Sequence, residues 1–104
     1  MAAKANDELI RLSATEAVAL LNKGEISPLE MVEAAEARIH EVEPSLNALP
    51  TTCFERAREH AKALMKGDGA DRRSEAGWLG GLPVAIKDLT EVAGVRTTFG
   101  SPIY

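Results

Sequence analysis

The sequence predicts an α/β chain that is mainly helical, with about three helices followed by one or two short core strands. Two capping boxes, Ser13 with Glu16 and Ser27 with Glu30, each stand directly before apolar residues spaced three and four apart. A similar start, Thr52 with Glu55, precedes a third stretch of that kind. Past residue 79 the pattern changes. A continuous apolar run, Leu82-Pro83-Val84-Ala85-Ile86, lies between the Gly80-Gly81 pair and Gly94, and reads as a short buried strand.

In chain order, Met1 to Asp7 form a loose polar tail. Leu9, Ile10 and Leu12 suffice only for a docking segment or an extra turn. The first predicted helix starts at the Ser13 cap, presents Ala14, Ala17, Val18 and Leu21 on one face, and stops at Gly24. Ser27 caps the second, with Pro28 at its first position. Leu29, Val32, Ala35, Ile39 and Val42 form a single stripe along it, and Pro44 is expected to block continuation. Residues 44–51, PSLNALPT, make a turn-and-extended connection. The third helix runs from the Thr52 cap to Gly67, with Phe54, Ala57, Ala61, Leu64 and Met65 as its apolar face.

Residues 67–77, GDGADRRSEAG, read as a solvated surface loop that returns the chain to the strand. Pro83 cannot donate to a ladder and belongs at the strand's first residue or on an edge. Gly80 and Gly81 suit a close approach of backbone to a neighbouring element. Gly94 reads as a turn and Val95 to Thr98 as a short extended segment. The second helix is acidic (Glu30, Glu33, Glu36, Glu41, Glu43) and the third basic (Arg56, Arg58, Lys62, Lys66). Solvated outer faces account for both patterns, and complementary docking of the two helices is the alternative.

Composition narrows the class. A chain of 104 residues has one domain's length, and 45% hydrophobic with 27% charged residues is a globular balance, not that of a disordered tail. A net charge of -4 provides no basic stripe for phosphates, and 4% aromatic content leaves little for base stacking, so nucleic acid is not expected as a partner. Cys53 is the single cysteine, which excludes an internal disulfide. His40 and His60 fall on separate predicted helices and read as solvated, not as a metal pair. Without an apolar signal core or a membrane-length span, the default location is cytoplasmic.

Lys87 ends the apolar run, and strand alternation would point Lys87 and Asp88 to opposite sides, so neither is the other's direct partner. Two readings of the lysine stand. Held on a buried strand, a lysine is disfavoured in its charged form, and a neutral amine can serve as a general base. At a strand end it can instead extend its ammonium into solvent along an apolar stem. Asp88 reads as a local cap, a supporting acceptor or a plain turn carboxylate.

The run LxGLPVAIKDxxxVAGVRTTFGS resembles the lysine-bearing block of the amidase signature family of serine hydrolases. It is carried by Leu79, Gly81 to Asp88, Val92 to Val95, Thr97, Thr98, Gly100 and Ser101. Many members have asparagine directly after the Lys-Asp pair, where this chain has Leu89. The segment SLNAL, residues 45–49, is similar to the family's N-terminal region and extends the resemblance over most of the chain. The resemblance implies that Lys87 is the terminal base of a Ser–cis-Ser–Lys triad that hydrolyses a carboxamide through a serine acyl-enzyme, with no metal or organic cofactor.

It also implies that residues 1–104 are the N-terminal part of a single amidase domain: a helical layer (1–67), a loop (68–78) and the lysine-bearing strand block (79–104). The family's catalytic serines and Gly/Ser-rich oxyanion loop lie downstream of that block. None of Ser13, Ser27, Ser45, Ser74 and Ser101 sits in such a cluster. The chain alone is therefore expected to be inactive, and poorly stable or homo-oligomeric. Its expected partners are the rest of the amidase domain and a small amide substrate. A non-catalytic helical interaction module or docking subunit is the alternative. The two differ in the apolar surface they leave uncovered.

Overall fold

The computed structural model describes residues 6–67, 69–72, 75–101 and 103. Among these described residues four α-helices follow one another: α1 (Asn6–Ile10), α2 (Ala14–Lys23), α3 (Pro28–Leu46) and α4 (Phe54–Met65), then a 3-10 turn at Ala70–Arg72. Both predicted capping boxes form. Ser13 Oγ accepts from the Glu16 N–H at 3.1 Å, and the Glu16 carboxylate accepts from the Ser13 N–H at 2.9 Å. Ser27 and Glu30 repeat the exchange at 3.1 and 3.0 Å. Each box satisfies donors that a helix start otherwise leaves unpaired. Gly24 closes α2 in the left-handed conformation.

The docking segment is the short helix α1, lying against α3. Its Leu9 is only 2% exposed and joins Ala17, Leu21, Ile26, Met31 and Ala34 in one apolar cluster. Residues 1–5 of the expected polar tail lie outside the described residues, and Asn6 and Asp7 are helical.

Helix α3 differs from expectation in two ways. Its apolar residues serve two faces, not one stripe. Met31 and Ala34 enter the cluster with α1 and α2, while Val32, Ala35 and Ile39 line a groove with Phe54 and Ala57 of α4. A central helix buried on two sides needs small residues for close approach, and Ala34 is fully covered. Pro44 does not stop the helix, which continues to Leu46. In the last turn a proline's fixed φ suits the helix and only one backbone bond is forfeited. The stop comes from Asn47, left-handed at φ 51, whose N–H donates to the Glu43 carbonyl at 2.7 Å. The Glu43 carboxylate then accepts from the N–H groups of Ala48 and Leu49, both at 2.7 Å, and turns the chain back.

The expected Thr52–Glu55 capping box is absent. α4 starts at Phe54 behind Cys53, which makes no side-chain cap bond, and Glu55 instead bonds Arg58 Nη1 at 3.1 Å. Both explanations for the helix charges apply: Glu33, Glu41, Lys62 and Lys66 are exposed, while one pair docks the two helices. Arg58 of α4 engages both carboxylate oxygens of Glu36 on α3.

No strand forms among the described residues. Among the described residues the run 82–87 has no ladder partner, and the one β-bridge, Val92 to Val95, closes a local turn around Gly94. Nor is the run buried. Leu82 packs on the core cluster, but Val84 is 63% and Ile86 53% exposed. An apolar run becomes a buried strand only when neighbouring chain supplies ladder hydrogen bonds and cover, and beyond Leu82 the described residues supply no ladder and leave Val84 and Ile86 exposed. The close approach foreseen for the Gly80-Gly81 pair is present at Gly81, where a Cβ would lie 2.7 Å from Pro28 Cβ. The segment leading to Lys87 is thereby seated between the start of α3 and Leu64 of α4.

Candidate functional site

Three elements converge on Lys87. The chain leaving α3, redirected by Glu43, brings Ala48 to Thr51 to one side. Residues 85–88 line one side, and the turn through Val92, Val95 and Thr97 another. Together they enclose an open concavity of about 410 Å³ with a mainly apolar lining, and Lys87 and Arg96 are its cations. α4 secures the turn through Val92, since the Arg56 guanidinium donates to the Ala93 carbonyl.

Lys87 is exposed and forms no ion pair among the described residues. The burial expected of a strand lysine is therefore not supplied by the described residues, among which the side chain is exposed as in the solvated reading. Its backbone is held, with the Lys87 carbonyl accepting from the Thr90 N–H at 2.9 Å.

Asp88 is the more heavily bonded neighbour. Its Oδ1 accepts from the Thr98 N–H at 2.8 Å and its Oδ2 from the Thr98 hydroxyl. The Gly100 N–H lies 3.4 Å from the same Oδ2, and the Asp88 carbonyl accepts from the Phe99 N–H at 3.1 Å. The Thr98 hydroxyl and then its N–H hold the Asp88 carboxyl below the usual carboxylate range, with smaller support from Gly100 and the Arg96 cation. Asp88 is thus an acceptor for the turn at residues 98–100, and no bond joins it to Lys87 among the described residues.

The sequence reasoning missed the wall formed by residues 48–51. The signal was the SLNAL segment, whose role as a wall depends on the Glu43 turn. It also missed that Thr98 is the partner of Asp88, ten residues away. The serines do not gather at Lys87. Ser13 and Ser27 cap helices, Ser45 is exposed on α3, Ser101 accepts from the Ile103 N–H at 3.3 Å, and Ser74 lies outside the described residues. Among the described residues no group of three or more His, Cys, Asp or Glu is placed to hold a metal, and no helix is long and apolar enough to cross a membrane.

Large apolar side chains stand uncovered along this block. Leu79, Val84, Ile86, Leu89, Phe99 and Ile103 are 44–88% exposed.

The family model described as Amidase matches residues 30–104. The chain is 45% identical over 97 residues to a glutamyl-tRNA(Gln) amidotransferase subunit from Anaeromyxobacter dehalogenans, covering 92% of this chain and 19% of that protein. It is 42% identical to the protein of the same name from Caldanaerobacter subterraneus, covering 90% of this chain and 19% of the relative. An acylamidase of Rhodococcus erythropolis is 40% identical over 89 residues, covering 86% of this chain and 18% of the relative. The chain thus spans about a fifth of the length of these curated relatives. No solved structure matches it.

Proposed function

From a chain that belongs to the amidase family, we propose an amide hydrolase segment whose Lys87 is the terminal base of a Ser–cis-Ser–Lys relay. Lys87 in its neutral form takes a proton, through a bridging serine, from a nucleophilic serine that attacks the carboxamide carbon. Backbone N–H groups hold the oxyanion, the proton passes to the leaving amine, and water releases the acid from the acyl-enzyme. Both serines and the oxyanion donors come from parts of the amidase domain outside residues 1–104.

The observation that carries this reading is the placement of Lys87. It lies in an open concavity on a tethered turn, with its amine unengaged by any carboxylate among the described residues. The uncovered apolar residues of 79–103 favour a segment that docks on the rest of such a domain over a self-sufficient helical module. The substrate class is a carboxamide. The relatives' names, acylamidase and amidotransferase, both belong to amide chemistry.

The test is Lys87→Ala in the full-length polypeptide, read by amide turnover and by intact mass after treatment with a serine-reactive fluorophosphonate. Loss of turnover and of rapid labelling is expected. Unchanged turnover would exclude Lys87 as the base.

A further inference from the structure

We propose that Asp88 is a positioning residue for Lys87: its carboxylate clamps the turn after the lysine to residues 98–100 and so fixes how the amine enters the concavity. The inference rests on the reading of Lys87 as the base.

A lysine side chain has four rotatable carbons, and its reach is useful only if the backbone that launches it is fixed. Here one carboxylate provides the side-chain part of that fixing, beside the backbone bonds from Thr90 and Phe99. Asp88 accepts from the N–H and hydroxyl of Thr98 and approaches the N–H of Gly100, which is also 3.2 Å from the Thr98 hydroxyl oxygen. The backbone bond from Phe99 N–H to the Asp88 carbonyl closes the same ring of contacts. Within it Phe99 sits at φ 52, a left-handed conformation that non-glycine residues adopt rarely and only where surrounding bonds hold them. Asp88 makes no bond to Lys87, so its influence travels through the shared peptide bond and the Lys87–Thr90 turn.

The experiment compares Lys87→Ala, Asp88→Asn and Thr98→Val in the full-length polypeptide, using the fluorophosphonate as probe. Three quantities are read: the maximal labelling rate, the probe concentration giving half of it, and the labelled fraction at completion. Asp88→Asn should slow the maximal rate about 10- to 100-fold, the scale of a misplacement near 1 Å. It should leave the half-saturating concentration and the labelled fraction unchanged. A merely structural role would instead lower the labelled fraction. Thr98→Val, which removes one donor to the clamp, should move the rate in the same direction by less.

An Asp88→Asn protein that labels at the parental rate, alongside a slow Lys87→Ala, overturns the Asp88 proposal and leaves the lysine reading standing. A Lys87→Ala protein that labels normally overturns both. If Asp88→Asn fails to fold, Thr98→Val decides: a slowed rate with full labelling supports the proposal, and an unchanged rate ends it.

Discussion

Arg58 on α4 grips the Glu36 carboxylate on α3, with Nη2 2.6 Å from Oε1 and in contact with Oε2 as well. The two side chains are 25% and 19% exposed, so this pair lies between a solvated ion pair and a buried one. Exposed pairs contribute about 0–1 kcal/mol, and removing one partner of a buried pair costs about 3–5 kcal/mol. Arg58→Ala should therefore lower unfolding stability by about 1–2 kcal/mol. The Arg38–Glu41 pair, at 3.6 Å and more than half exposed on both sides, is the internal control. Arg38→Ala should change stability by less than about 0.5 kcal/mol in the same urea titrations.

The helix starts make a second comparison. Ser27 and Ser13 each cap a helix through their hydroxyls, so replacement by alanine should cost about 1 kcal/mol at each position. Thr52 has the same local pattern in sequence but caps nothing, because α4 begins behind Cys53. Thr52→Ala should leave the unfolding midpoint unmoved. A loss at Thr52 equal to that at Ser27 would mean that α4 starts earlier than described.

That contrast marks what was legible in the sequence. Capping boxes and the Gly24 stop are short-range signals, and they predicted α2 and the start of α3 correctly, whereas the pairing of Arg58 with Glu36 stood only as the alternative to solvated helix faces. Pro44 misled because a proline's penalty depends on where in a helix it falls, and the last turn tolerates it. The strand at 82–86 misled because a strand is a relationship between segments. Leu82 finds the core, while Val84 and Ile86 stay exposed and find no strand partner among the described residues. At the candidate site, the motif singled out Lys87, which lines the concavity. The Thr98–Asp88 clamp and the 48–51 wall were not, since both depend on turns set by tertiary contacts.

Two carboxylates should make stability fall in acid. The Ser13 N–H and then its hydroxyl hold Glu16 below its usual value of 4.5, and Thr98 holds Asp88 below its usual 3.8. Both groups bind protons more readily in the unfolded chain, so unfolding takes up protons in this range and stability drops as pH falls. The contribution of Glu16 is complete above about pH 4.5 and that of Asp88 above about 3.8. Each disappears once pH is below the depressed folded value. Urea midpoints at pH 7, 4.5 and 3 should show Glu16→Gln and Asp88→Asn losing less on acidification than the parent. Parallel losses in parent and variants would contradict the assignment.

Gly81 supplies the sharpest steric prediction. It has φ +103, which an L-residue adopts only with strain, and an added Cβ would meet Pro28 Cβ at 2.7 Å, Pro28 Cγ at 2.8 Å and Leu64 Cδ1 at 3.3 Å. Pro28 is ring-locked at the first position of α3 and cannot swing aside. Gly24 offers the matched control, with φ +75 and nothing within 4 Å of the added carbon. Gly24→Ala should cost about 1 kcal/mol, from backbone strain alone. Gly81→Ala carries the same strain plus the clash and should cost about 2–4 kcal/mol. Because Gly81 seats the segment that ends in Lys87, the same variant should slow fluorophosphonate labelling of the full-length polypeptide, whereas Gly24→Ala should not. Equal destabilisation by the two variants would mean that residues 80–82 do not pack against the start of α3.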